Sequence, residues 1–204
     1  MKLFITGIST EVGKTVVSAI VTEALEADYW KPIQAGDLDN SDSHKIKALV
    51  SNFKTVIHKN AYVLKTPMSP HAAAEIDGVH IDLDAISEPR TNNHLVIEGA
   101  GGLLVPLNDS DTILDLIQSD YKVIVVSRHY LGSINHSLLT IEALQQRNFE
   151  VGVIFSGDKH PTTERIILEK TGISMLGRIN EEKEFTKKEV KAYASKFRDS
   201  LLTF

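Results

Sequence analysis

The run KLFIT (2–6) leads directly into GISTEVGKT (7–15), and then into an apolar-periodic segment that reaches about Ala27. A short β-branched apolar run reads as a buried strand, and Gly-Lys-Thr at the start of a helix reads as a phosphate loop. In that arrangement backbone N–H groups face phosphate oxygens, Lys14 reaches the β- and γ-phosphates, and the Thr15 hydroxyl is a ligand for Mg²⁺. The spacing is unusual. Five residues separate Gly7 from Gly13, where the common loop has four. The alternative is a glycine turn ahead of an amphipathic helix, and the loop by itself names a ligand without naming a reaction.

The rest of the chain repeats the alternation. DYWKPIQ (28–34), HLVIEG (94–99), KVIVVS (122–127) and EVGVIFS (150–156) read as strands. Helices are expected at about 42–52, 112–119, 133–147, 161–171 and 185–202, while 53–93 is the least regular stretch, with a turn and short helix in TPMSPHAAAE. Strands separated by helices imply parallel pairing through right-handed crossovers. The expectation is a single-domain α/β fold of P-loop NTPase type over residues 1–204, a mostly parallel sheet with helices on both faces. A chain of 204 residues suits one such core. The net charge of -5 and the lack of a Lys/Arg block argue against a nucleic-acid partner. No run is long enough for a membrane span. With no cysteine, thiolate chemistry is excluded, and a cytoplasmic location is the default.

Further stretches fall where strands end, the edge on which ligands collect in open α/β sheets. Lys31 in KPIQAG ends the second strand, although a snorkelling surface lysine would look the same. Asp42 in NSDSHK stands at an expected helix start, where capping alone explains it. Glu98 in VIEGAGG ends an apolar strand before three glycines among four residues. A carboxylate there commonly holds Mg²⁺ beside a P-loop. In YLGSINH, Gly132 permits a tight turn, and Ser133 or Asn135 either caps the next helix or helps its N-terminus receive an anion. The scattered histidines have no zinc spacing, and no Gly-x-Ser-x-Gly elbow is present.

Taken together, GISTEVGKT, KPIQAG, NSD, MSPH, VIEGAGG and LGSINH resemble the dethiobiotin synthetases, ATP-dependent cyclases of biotin biosynthesis. The similarity runs from residue 3 to about residue 179. It implies a cytoplasmic homodimer that joins 7,8-diaminopelargonate, CO₂ (or bicarbonate) and ATP, with Mg²⁺, into dethiobiotin, ADP and phosphate. Catalytic roles are implied for Lys14, Lys31 and Thr10, and Mg²⁺ contacts for Thr15, Asp42 and Glu98. Nucleotide contacts are implied for Glu11, Val12, Gly13, Lys14, Thr15, Val16, Ser156 and Gly177. The substrate would meet Thr10, Lys31, Ala35 and Gly101, with Gly132, Ser133, Ile134 and Asn135 at the dimer contact.

The chain departs from the family pattern in four places. Ser9 replaces a frequent Asp, Ala35 a frequent Ser or Thr, and Ser156 a frequent Asn at the adenine, while GRIN (177–180) replaces Gly-x-Ile-Pro in the loop on the nucleotide side. Among competing readings, a partition- or division-type ATPase draws support from Val190, Tyr193, Phe197 and Leu201, which recur at helical spacing. That stripe would suit a membrane surface or cover the domain's own sheet. Ser9 stands where such ATPases carry a second lysine. A GTP switch would need Asn-Lys-x-Asp, and SGDK is not that motif.

Overall fold

The computed structural model describes all residues, 1–204. Its main sheet has six parallel strands in the order β2-β5-β1-β6-β7-β8: β1 Lys2–Gly7, β2 Asp28–Trp30, β5 Leu95–Gly102, β6 Lys122–Arg128, β7 Glu150–Ser156 and β8 Ser174–Ile179. β3 (Ile33–Ala35) and β4 (Tyr62–Leu64) form a separate parallel pair. The helices are α1 (Lys14–Leu25), α2 (Asp42–Leu49), α3 (Pro70–Asp77), α4 (Ser133–Gln145), α5 (Pro161–Thr171) and α6 (Lys187–Thr203). β1 runs between β5 and β6. The chain builds the β2 and β5 side first and then crosses to β6, so the crevice at the reversal of strand order lies at the carboxyl end of β1.

Helices cover both faces. Ser127 and Phe155 are register partners, as are Phe155 and Arg178, and the Ser127 hydroxyl meets that of Ser137 on α4 at 2.8 Å. Gly177, one residue away from Arg178, points to the opposite face because side chains alternate along a strand. There a Cβ would run into the Phe197 ring on α6. α6 also packs against α1, and α4 against α5. The buried apolar side chains make one cluster of 49 residues running through this sheet.

Four expectations need correction. The predicted strand 28–34 is two strands in two sheets, split at Pro32, whose missing N–H cannot continue a ladder. Residues 112–119 contain only a 3-10 turn, Ile113–Leu116, started by a Thr112–Asp115 capping box. The helix expected to reach 52 ends at Leu49, with Val50 extended. GRIN is not a loop: Gly177, Arg178 and Ile179 close β8, an edge strand the sequence reading lacked. A strand of Ser-Met-Leu-Gly-Arg-Ile has no alternation to reveal it.

The apolar stripe of α6 turns inward. Val190, Tyr193, Phe197 and Leu201 are all buried, so the stripe covers the domain's own sheet. No helix is long and apolar enough to cross a membrane. Because Phe197 fills the notch that Gly177 leaves, Phe197→Ala is expected to cost about 3–5 kcal/mol, read as a lower urea midpoint at unchanged m-value.

Candidate active site

The loop after β1 wraps closely around the start of α1. Gly7 has no room for a side chain, since a Cβ would lie 2.6 Å from Val12 Cγ2 and 2.8 Å from the Ser9 carbonyl oxygen. Gly13 caps α1 at φ 96 without a side-chain cap, a left-handed conformation that glycine adopts without strain. Glu11 is also left-handed, at φ 57, so two turns of that hand accommodate the longer loop. The first N–H groups of α1 thus stay open to an anion.

Lys14 folds back over this loop and donates from Nζ to the Ser9 carbonyl at 2.9 Å. Only 8% of it is exposed. Burial, joined by the Lys31 charge, outweighs the opposing pull of Glu98 and Asp42 and brings its ammonium down to about 8. An ammonium so poorly solvated has much to gain from a phosphate.

Beside it lies a tight polar knot. Glu98, the fourth residue of β5, is 1% exposed. Its Oε1 accepts from Thr15 Oγ1 at 3.0 Å and Lys31 Nζ at 3.2 Å, and its Oε2 accepts from the Tyr29 hydroxyl at 2.9 Å. Thr15 Oγ1 also contacts Asp42 Oδ1 at 3.1 Å, and Lys31 Nζ lies 2.6 Å from Asp42 Oδ2. Burial works against the Lys31 charge, but the facing carboxylates of Glu98 and Asp42 outweigh it and raise its pKa. Burial likewise opposes ionisation of Asp42, yet Lys31 holds its carboxyl below the usual range. Burial, followed by the Glu98 and Asp42 charges, raises the Tyr29 phenol well above its ordinary value, so it remains a donor. Asp42 is the first residue of α2, but the cap belongs to Ser41, which makes a capping box with His44. The Asp42 carboxylate therefore turns toward Lys31.

The knot fits a hard divalent cation. No three His, Cys, Asp or Glu side chains converge, but Mg²⁺ bound alongside nucleotide phosphates takes only one or two protein carboxylates. Two carboxylates around a threonine hydroxyl make an all-oxygen set of that kind.

These groups floor a cleft of about 710 Å³. It brings together Thr10, Glu11, Gly13, Lys14, Thr15 and Val16 from the loop and α1. Lys31, Ala35, Asp42, Glu98 and Gly101 join them from the neighbouring strand ends. Val12 is buried beneath the loop. Ser156 is buried at the end of β7, where a Cβ on Gly13 would come within 3.1 Å of its hydroxyl. Gly177 pairs with Ile154 within the sheet, under Phe197, and does not line this cleft. Gly132, Ser133, Ile134 and Asn135 do not line it either. They open α4, where Ser133 is buried while Ile134 and the neighbouring Tyr130 and Leu131 are exposed.

Sequence reasoning missed Tyr29, Lys45 and Gln34. Lys45 lines the cleft and bonds Asp37 at 2.8 Å, and Gln34 accepts from the Asp42 backbone at 3.3 Å. Only Lys45 left a signal, one helical turn beyond Asp42.

Comparison with known proteins decides the family. The chain is 64% identical over 199 residues to an ATP-dependent dethiobiotin synthetase BioD of Christiangramia forsetii, covering 97% of this chain and 96% of that protein. It is 54% identical to one from Cytophaga hutchinsonii, covering 98% of each. The chain belongs to the dethiobiotin synthetase family. A family model described as an AAA domain also matches residues 1–189. Among solved structures, the MinC:MinD cell division complex of Aquifex aeolicus superposes with a TM-score of 0.59 at 14% identity, over 100% of this chain and 96% of that one. A plasmid partition protein of Borrelia burgdorferi gives 0.58 at 20%, with the same coverage. At such identities these structures share the P-loop NTPase fold alone. The synthetase relatives therefore outweigh the partition-ATPase reading.

The depressed Lys14 pKa makes anion binding pH-dependent. Its charged form dominates below about 8 and is lost above, whereas a bound phosphate favours the charged form. The affinity for a non-hydrolysable ATP analogue should therefore fall as pH rises past 8, by up to about tenfold per unit for one linked proton. Calorimetric titration from pH 7.5 to 10 measures this. Lys14→Arg should flatten the profile, because arginine stays charged throughout.

Proposed function

We propose that this chain is an ATP- and Mg²⁺-dependent dethiobiotin synthetase, a ligase that joins 7,8-diaminopelargonate and CO₂ in biotin biosynthesis. The observation that carries the reading is the pairing of two buried lysines, Lys14 on the loop and Lys31 at the neighbouring strand end, over one cleft. Phosphoryl transfer to a weak, anionic nucleophile brings two anions together, and two fixed cations oppose that repulsion.

The chemistry runs in three steps. One amino nitrogen of the diamine attacks CO₂ and loses a proton, forming a carbamate. A carbamate oxygen attacks the γ-phosphorus of ATP, ADP departs, and a carbamic–phosphoric anhydride results. The second amine attacks the carbonyl carbon, phosphate leaves with the C–O bonding pair, and loss of a proton completes the cyclic urea. Lys31, kept protonated by its carboxylate partners, binds the carbamate oxygens, and Lys14 spans the carbamate and the γ-phosphoryl group. Thr10 contacts substrate and phosphate, with Ala35 and Gly101 forming walls. Thr15, Asp42 and Glu98 hold Mg²⁺, which neutralises charge on the phosphates when bound. Open N–H groups of α1 orient the polyphosphate. Ser156 meets the base side with one hydroxyl, a partial match to the donor–acceptor edge of adenine.

The carboxylate of the diamine is assigned to the N-terminus of α4 in a second copy. Gly132, Ser133, Ile134 and Asn135 lie outside their own chain's cleft, and exposed Leu131 and Ile134 beside them suit a homodimer contact. A chain of this net charge has no evident use for nucleic acid, and a soluble cytoplasmic enzyme remains the expectation.

Labelled bicarbonate supplied with 7,8-diaminopelargonate and Mg·ATP should appear in an acid-stable product only when the diamine is present. Lys31→Gln should bind the ATP analogue nearly as well as the parent while turnover falls at least about a hundredfold, whereas Lys14→Ala should lose both. ATP hydrolysis without fixed carbon would sink the proposal. Equal loss of nucleotide affinity in the two variants would sink the division of labour.

The dimer has its own test. Ile134→Asp places a charge in the proposed contact and should weaken self-association about tenfold or more, roughly 1.4 kcal/mol, as seen by sedimentation. Activity per chain should fall with it while nucleotide affinity stays. A fully active monomer would remove the shared site.

A further inference from the structure

Glu98 owes its orientation to a residue outside the cleft. A carboxylate rotates broadly about its terminal bond, and the ligand-facing role of Glu98 needs one oxygen held toward Thr15 and Lys31. Tyr29 does not line the cleft, yet its hydroxyl donates to the other oxygen, Oε2, at 2.9 Å. The phenol is fixed from every side. Its ring is 0% exposed. Its backbone N–H donates to Val56 at 2.9 Å, and its carbonyl accepts from His58 at 2.9 Å. Along its other edge β2 pairs with β5, placing Tyr29 opposite Val96, two residues before Glu98. That offset of two keeps both side chains on one face of the sheet.

From this geometry we infer that Tyr29 is a positioning residue: its hydroxyl locks the Glu98 carboxylate so that Oε1 is presented to Thr15, Lys31 and the metal–nucleotide complex. The inference rests on the reading of the cleft as an Mg·ATP site, but it does not need the carbon-fixing reaction. Tyr29 makes no contact with the reacting atoms and acts only through Glu98. Outer-sphere partners of this kind typically set metal affinity or activity by about 10- to 100-fold.

Tyr29→Phe removes one oxygen and keeps the ring, so the fold should persist, as a melting curve will verify. The probe is Mn²⁺ with the non-hydrolysable ATP analogue, followed by electron paramagnetic resonance of free and bound Mn²⁺. Tyr29→Phe should weaken Mn²⁺ binding about tenfold while the affinity for the metal-free analogue, which Lys14 and the loop supply, is unchanged. In turnover, kcat should fall more than KM for ATP rises. Glu98→Gln gives the size of the whole carboxylate effect, and adding Tyr29→Phe to it should cost nothing more, as expected for two residues acting as one unit.

The inference is overturned by Mn²⁺ binding unchanged in a folded Tyr29→Phe protein, by equal loss of metal-free analogue binding, or by fully additive losses in the double variant. A parent protein that binds no Mn²⁺ with the analogue overturns it as well. If instead Mn²⁺ behaves as stated and no carbon is fixed, the synthetase reading fails and the role of Tyr29 stands.

Discussion

A carboxylate in the middle of an inner strand, cut off from water, must be met by donors or the strand cannot carry it there. Glu98 is 1% exposed, and an unpaired charge at that depth is far too costly to keep. Its donors come from three places: Thr15 on α1, Lys31 just after β2, and Tyr29 within β2. Asp42 then shares Lys31 and Thr15, which ties the start of α2 to the same point. Satisfying one carboxylate thus fixes the relative placement of the phosphate loop, the edge strand and the helix that close the cleft.

The same knot explains why the two lysines differ. Both are buried beside the same pair of carboxylates, but Lys31 touches both of them and Lys14 touches neither, being held by a backbone carbonyl. The desolvation penalty is offset in Lys31 and left open in Lys14, so their pKa values move in opposite directions. Lys31 is held firmly protonated, whereas Lys14 gives up its proton more readily until an anion pairs with it. Sheet topology supplies the proximity, since β5 and β6 flank β1 and bring the glycine-rich end of β5 next to the loop.

Away from the cleft, the fold is held by a plain division of surfaces. α6 lays its apolar stripe against the sheet face where Gly177 leaves a notch, while α4 and α5 cover the opposite face. A second buried ionic group, Glu164 with His129 at 3.0 Å and with Arg178, braces the segment before α4 against α5 and β8. Burial, aided by Arg178, lowers the His129 pKa. That segment carries the exposed Tyr130 and Leu131, so its backbone is anchored where its side chains face outward.

The sequence by itself determined the elements whose signal is local. KLFIT and KVIVVS are strands wherever they pack, because both faces are apolar. Gly-Lys-Thr after a strand starts a helix with open N–H groups. Lys14, Thr15 and Asp42 were legible because each stands at the start of a helix beside a recognisable turn, and Glu98 because it interrupts an apolar strand just ahead of a glycine run. The tertiary structure alone decided what depends on register and on faces. Whether Lys31 snorkels or bridges two carboxylates hangs on the distance between β2 and the middle of β5, which no local pattern encodes. Tyr29 looks like any strand aromatic until parallel pairing sets it two residues behind Glu98. Gly177 looks like a loop glycine until Phe197, twenty residues later, is found filling the space above it. Local patterns fix backbone conformation through short-range sterics and hydrogen bonds. Partnerships between side chains far apart in sequence exist only once the sheet order has brought their strands together.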